Sequence, residues 1–199
     1  MTKQALLIFA KNFEPGKVKT RLAATLGHAK AFSIYTQLLE HTVSVTNYLH
    51  VDKIVFYSSH IAQEDVWNDK YYHKQVQEGS DLGERMSNAF SYTFQKGYDR
   101  VVIIGTDCPE LTAGILMNAF AYLNNHDVVI GPAADGGYYL LAMKQHYSAL
   151  FKNINWSTET VLEETLEICM ENNLNYTLLP VLHDVDEERD LIHLEKLNA

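Results

Sequence analysis

The chain has 199 residues, of which 47% are hydrophobic and 21% charged, and its formal net charge is −9. That length can bury a continuous apolar core in one globular domain spanning residues 1–199, and the ordinary composition excludes a disordered or repetitive chain. The acidic balance excludes nucleic acid as a principal partner, because binding a phosphate backbone requires a basic face.

The charge is unevenly placed. Residues 1–30 carry Lys3, Lys11, Lys17, Lys19, Arg21 and Lys30 against Glu14 alone, an asymmetry that suits a small anion better than a polymer. No segment has the length and apolarity of a signal sequence or a membrane span. The two cysteines, Cys108 and Cys169, lack metal-ligand spacing and suit a reducing compartment. A cytoplasmic protein with no membrane partner is expected.

Residues 4–10 form an unbroken apolar run, as expected of a central parallel strand buried on both faces. A polar loop with Pro15 and Gly16 follows. Over 28–49, Phe32, Tyr35, Leu38, Leu39, Thr42 and Val45 recur at three- and four-residue intervals, which predicts an amphipathic helix. Strands are predicted at 53–57 and around Val76, and a helix at 82–94. A buried strand at 101–104, a helix at 113–123 and a strand at 128–130 come next. The run 136–143 begins too soon after that strand for a helical crossover, so it is predicted to be antiparallel. A helix at 158–172, a strand at 176–179 and a short helix at 187–197 complete the pattern. The expected fold is α/β: a three-layer sandwich around a mixed, mainly parallel sheet.

Three constellations carry chemistry. In the connection after the first strand, Lys11, Gly16, Lys17, Lys19, Thr20 and Arg21 supply point charges, a hydroxyl, a permissive turn and a bidentate guanidinium. That equipment suits donor phosphates, at the edge where open α/β sheets bind ligands. A solvated basic loop is the alternative. After the strand 101–104, Asp107 sits in Gly-Thr-Asp-Cys-Pro, where a carboxylate can hold a hard cation such as Mg²⁺ or Mn²⁺. Thr112 is better placed to cap the next helix. In Asp135-Gly136-Gly137-Tyr138, a carboxylate precedes two glycines, which reads either as a hairpin turn or as the wall of an acceptor site.

Two weaker signals remain. Asp81 is expected to cap a helix from which Arg85 points either to the cleft or to solvent. Extended backbone would put Asp184 and Asp186 on one side, offering a second metal ligand and a cap. The other histidines are scattered and read as surface or structural.

Segments 11–22, 79–86, 105–109, 131–139, Trp156-Ser157 and Asp184-Val185-Asp186, taken in order, resemble the uncharacterised bacterial glycosyltransferase-like family with the GT-A fold (DUF2064-type). More distantly, the chain is similar to phospholactate and molybdenum-cofactor guanylyltransferases, through Lys19-Thr20-Arg21-Leu22 and Asp107. The resemblance implies a nucleotide-binding domain like that of nucleotide-diphospho-sugar transferases, with Asp107 holding Mg²⁺ or Mn²⁺ against the donor diphosphate. The Asp-x-Asp pair of metal-dependent GT-A glycosyltransferases is absent, because Pro109 occupies its second position.

The first expected function is therefore transfer from a nucleotide sugar to a small acceptor. Asp135 would be the base, Arg85 a pyrophosphate support, and Gly136, Gly137, Tyr138 and Trp156 the acceptor or sugar pocket. The second is nucleotidyl transfer from a nucleoside triphosphate, with Asp107 and Asp184 or Asp186 holding the ions. The third is a nucleotide-binding protein without catalysis. Asp107→Ala is expected to abolish metal-dependent binding at little cost in stability.

Overall fold

The computed structural model describes residues 2–12, 14, 16 and 18–194. Its strands are β1 (Gln4–Ala10), β2 (Asp52–Tyr57), β3 (Tyr72–Val76), β4 (Arg100–Ile104), β5 (Val128–Pro132), β6 (Tyr138–Met143) and β7 (Tyr176–Leu178). Its α-helices are α1 (Thr20–Leu26), α2 (His28–Thr46), α3 (Leu82–Gln95), α4 (Ala113–Tyr122), α5 (Val161–Glu171) and α6 (Leu191–Leu194). Single 3₁₀ turns cover Ser148–Phe151 and Glu188–Asp190. The sheet order is β3-β2-β1-β4-β6-β5-β7. Among the described strands only β6 runs antiparallel to its neighbours, as its short connection from β5 requires.

Side chains alternate across the sheet and so divide the core in two. Leu6, Ile8, Val102, Ile104, Leu140 and Ala142 face one layer with Tyr35 and Leu39 of α2 and Leu116 and Phe120 of α4. Ala5, Leu7, Val101, Ile103, Leu141 and Met143 face the other, with Met86 and Phe90 of α3 and Cys169 of α5. Leu6, Leu7 and Ile8 are wholly buried, and each contributes about 1.5–3 kcal/mol relative to an exposed side chain. Burial of the strand on both faces is why it carries a continuous apolar run rather than an alternating one. The three-layer α/β arrangement is the one expected from the sequence. No helix among the described residues is long and apolar enough to cross a membrane.

Helix α1 is not anticipated by the sequence pattern. It starts after Lys19, whose backbone is left-handed (φ 47°, ψ 48°), and ends at Gly27 (φ 81°), which separates it from α2. It buries Leu22 and Ala23 in an outer cluster with Ile34 and Leu38 of α2, Val185 and Leu194. The predicted helix over 187–197 is a 3₁₀ turn followed by α6, and its residues 195–197 lie outside the described ones.

Because β1, β4, β5 and β7 are mutually parallel, the segments that follow them all leave the sheet at one edge. These are 11–19, 105–112, 133–137 and 179–187, and they contain most of the sequence motifs. The chain turns to opposite sides of β1 for β2 and β4, which leaves a crevice at their carboxyl ends.

At the other edge Asp127 ties three segments together. It accepts hydrogen bonds from the Tyr147 hydroxyl (3.0 Å) and the Asn175 N–H (2.8 Å), and pairs with Lys144 (2.8 Å). Lys144 foremost, opposed by burial and aided by Asn175 and Tyr147, holds its carboxyl below the ordinary value of 3.8. A depressed folded pKa adds stability that is present above the unfolded value and is lost as pH falls through the folded one. Asp127→Ala should therefore cost about 1–2 kcal/mol near neutral pH. Urea unfolding should show the gap from wild type narrowing below the ordinary carboxylate range.

Candidate functional site

The crevice opens into a cleft of about 690 Å³. One wall is Lys11, Lys19, Thr20 and Arg21, and the other includes Leu82, Gly137, Tyr138 and Trp156, with Asp135, Asp184, Asp186 and Glu159 also lining it. The opening loop is anchored from below. Asn12 is buried, its Oδ1 accepts from the Ser59 N–H (2.9 Å) and hydroxyl (2.8 Å), and its Nδ2 donates to the His60 carbonyl (2.7 Å). Tyr35 adds a bond from its hydroxyl to the Lys11 carbonyl (2.7 Å). The cationic segment is thus fixed to the loop after β2 and to α2.

Lys19 is the centre of the arrangement. Its side chain is 3% exposed, and its Nζ lies 2.7 Å from Asp107 Oδ1 and 3.0 Å from Asp186 Oδ1, and donates to the Val185 carbonyl at 2.6 Å. Burial alone would lower its pKa, but the charges of Asp107 and then Asp186 more than offset that and raise it above the ordinary lysine value. Asp186 is pushed up by burial and pulled down by Lys19, with Lys11 and Arg21 adding, and lies below the usual carboxylate range. The ammonium therefore bridges the loop after β4 to the segment after β7.

Asp184 has the opposite character. Burial, then the charges of Asp107 and Asp135, push its carboxyl up to about 8. Among the described residues it makes no hydrogen bond or ion pair. Two carboxylates, Asp107 and Asp186, pair with the Lys19 ammonium, and Asp184 stands outside the pairing. A hard divalent cation suits all-oxygen donors, but among the described residues Asp107, Asp184 and Asp186 do not bring one ligand atom each within 4.8 Å of one another.

Asp135 occupies the β5–β6 turn and lines the cleft. Its Oδ1 accepts from the Gly137 N–H (3.0 Å), while the Gly136 N–H donates to the Ala133 carbonyl (3.2 Å). The turn and the cleft wall, alternatives in the sequence, are one feature. Trp156 packs over Gly83, where an added Cβ would fall 2.1 Å from the indole Nε1. Its ring also stacks near Phe151, with centroids 6.5 Å apart.

The structure therefore brings together Lys11, Lys19, Thr20, Arg21, Asp135, Gly137, Tyr138, Trp156, Asp184 and Asp186 as lining residues, while Asp107 pairs with Lys19 without lining the cleft. Gly16 and Gly136 do not line the cleft, and Lys17 lies outside the described residues. Arg85 does not reach the cleft either: its Nε donates to the Gly79 carbonyl (3.1 Å), which leaves the guanidinium beside Gln77. Asp81 and Thr112 cap α3 and α4 as expected, accepting from the N–H groups of Glu84 and Ile115. Sequence reasoning missed Leu82, Thr158, Glu159 and Val161 as lining residues, and these carry no local signal. The expectation that Asp107 is dispensable for stability needs correction, because its loss leaves a buried ammonium with one carboxylate instead of two.

A family model described as "Uncharacterized protein conserved in bacteria (DUF2064)" matches residues 42–158. The chain belongs to this family. The matched part holds Asp107 and Asp135, while the basic loop and Asp184 lie on either side of it. A crystal structure from Desulfovibrio desulfuricans G20, described as a "putative nucleotide-diphospho-sugar transferase", superposes with a TM-score of 0.90 at 34% identity, over 100% of this chain and 88% of that one.

Rv0371c of Mycobacterium tuberculosis H37Rv, solved in complex with manganese, shares 13% identity over 99% of this chain and 98% of its own, with a TM-score of 0.54. A 4-diphosphocytidyl-2C-methyl-D-erythritol synthase shares 12% identity over 100% of this chain and 99% of its own, with a TM-score of 0.59. These two share the fold, that of the nucleotide-diphospho-sugar transferase class. No curated protein matches the sequence.

Proposed function

We propose that the family member described here is a metal-dependent transferase acting on a nucleotide-activated donor, and that its chemistry is nucleotidyl transfer. An oxygen of a substrate phosphate attacks the α-phosphorus of a nucleoside triphosphate, a P–O bond forms, and the bond to pyrophosphate breaks. The observation that carries this reading is the convergence of Lys19 on Asp107 and Asp186, in a cleft where the same wall presents Lys11, Thr20 and Arg21.

A phosphate nucleophile is already anionic and needs no general base, so catalysis reduces to positioning and charge neutralisation. Lys11 and Arg21 would hold the polyphosphate from the loop side, Arg21 through two parallel N–H bonds. Lys19, its three donors spent on Asp107, Asp186 and the Val185 carbonyl, would fix the acids rather than touch the phosphates. Mg²⁺ or Mn²⁺ held by Asp107 with Asp184 or Asp186 would add further charge neutralisation on the donor phosphates. Gly137, Tyr138 and Trp156 would form the acceptor side, within one domain spanning the whole chain. A CMP:2-keto-3-deoxy-manno-octonic acid synthetase of this fold, solved in complex with CTP, supports a nucleotide partner.

Glycosyl transfer is the second reading. The description of the Desulfovibrio desulfuricans relative favours it, and Asp135, which commits one oxygen to Gly137, keeps the other for an acceptor hydroxyl. It ranks second because Arg85, its expected pyrophosphate support, is held at Gly79.

Product analysis separates the two. The full chain, supplied with nucleoside triphosphates, sugar nucleotides, phosphorylated acceptors and Mg²⁺ or Mn²⁺, is expected to release pyrophosphate from a triphosphate. Release of nucleoside diphosphate from a sugar nucleotide would establish the second reading. A metal-dependent thermal shift with no turnover of any donor would leave a nucleotide-binding protein without catalysis.

A further inference from the structure

Three residues outside the cleft form a second cluster. Glu110 lies three positions after Asp107 in the β4–α4 loop, His183 directly precedes Asp184, and His193 sits on α6. The sequence offers no hint of this grouping, because 73 residues separate Glu110 from His183. The β4 and β7 connections meet at the same sheet edge and bring them together.

The geometry is that of a ligand set. His183 Nδ1 lies 2.9 Å from Glu110 Oε2, and His193 Nδ1 lies 3.5 Å from Glu110 Oε1. All three donor atoms fall within 4.8 Å of one another. The His183 N–H also donates to Glu110 Oε2 (3.0 Å), which fixes the carboxylate. The two imidazoles stack with centroids 3.9 Å apart and planes 8° apart. The Nδ1 of His193 is shielded from solvent yet makes no hydrogen bond, an arrangement that costs stability unless something completes it.

We propose that Glu110, His183 and His193 form a binding site for a zinc-class divalent metal ion, separate from the acid cluster of the cleft, which clamps α6 and the Asp184–Asp186 segment to the Asp107 loop. Two imidazole nitrogens and one carboxylate oxygen suit zinc and its neighbours rather than magnesium. Bonds of about 2.0–2.2 Å put the donors of a tetrahedral site roughly 3.3 Å apart, and the observed 2.9 and 3.5 Å spacings bracket that figure. Binding requires the stacked rings to fan apart so that both lone pairs converge. The Glu110 and His193 side chains are 16% and 20% exposed, while His183 is 43% exposed and leaves one side open for a water ligand. None of the three lines the cleft, so failure of this site would leave the transferase reading untouched.

Cobalt titration of the chelator-treated full chain tests the proposal. A visible absorption band should grow to one equivalent of Co²⁺, disappear on addition of Zn²⁺, and persist in excess Mg²⁺. Glu110→Gln and His193→Gln should each weaken Co²⁺ binding by roughly 100-fold or more, and Asp186→Asn should leave it nearly unchanged. Absence of the band, its loss to Mg²⁺, or its survival in both glutamine variants would overturn the assignment. Mapping of diethyl pyrocarbonate labelling on the wild-type chain gives an answer that does not depend on a variant folding. Zn²⁺, but not Mg²⁺, should protect His183 and His193, and equal labelling with and without Zn²⁺ would reject the site.

Discussion

Replacing Lys19 with methionine is expected to lower the unfolding free energy by about 2–3 kcal/mol in chelator and to reduce turnover roughly 100- to 1000-fold. The methylene stem is kept, so packing changes little and the loss is electrostatic. Three acceptors are stranded: Asp107, Asp186 and the Val185 carbonyl. The cost falls below that of breaking a fully enclosed ion pair because Asp107 and Asp186 are 32% and 43% exposed, and water can reach them.

The same variant separates the ammonium from a bound ion. With Lys19 gone, Asp107 and Asp186 lose their nearest positive charge, so Mg²⁺ should stabilise the methionine variant more than wild type. Urea titrations of both chains, with and without Mg²⁺, measure the difference. An equal response would place the divalent ion away from these carboxylates and remove the metal from the proposed mechanism.

Much of this arrangement is legible in the amino-acid order alone. Uninterrupted apolar runs identify β1 and β4 as strands buried on both faces, and the brief gap before Tyr138 identifies the antiparallel strand. Once the strands are known to be parallel, the loops holding Lys19, Asp107 and Asp184 must leave the same edge, so their convergence follows from topology. Helix α1 is illegible because it has only 7 residues and opens at a left-handed lysine rather than a capping side chain. Its Lys-Thr-Arg start looks like the loop it continues.

Side-chain direction is the other limit. Arg85 lies one turn along α3 from its cap, and nothing in the sequence decides between the cleft and the Gly79 carbonyl. Glu159 has no motif, and reaches the cleft rim through a backbone contact with Gly136. Glu110, His183 and His193 are individually ordinary, and only the joining of distant loops makes them a set.

That backbone contact leads to the second large effect. Gly136→Ala is expected to cost about 3 kcal/mol or more and to abolish turnover by displacing the acceptor side of the cleft. Gly136 has φ +91°, and an added Cβ would stand 2.0 Å from the Glu159 carbonyl oxygen and 2.6 Å from its carbon. Both sides of the clash are main chain, so no side-chain rotation relieves it. The Gly136 carbonyl also accepts the Leu162 N–H (2.9 Å), so displacing the turn loosens the start of α5 together with Trp156, Thr158 and Glu159 on the cleft wall. Gly97→Ala is the internal control. Its φ of +80° is comparable, but a Cβ added there would meet nothing within 4 Å, which leaves only the left-handed backbone penalty of about 1–2 kcal/mol. Thermal unfolding and turnover assays of the two variants side by side should show a larger destabilisation and a loss of turnover in the first alone. Equal behaviour would mean that the contact between the turn and the Glu159 backbone does not shape the cleft.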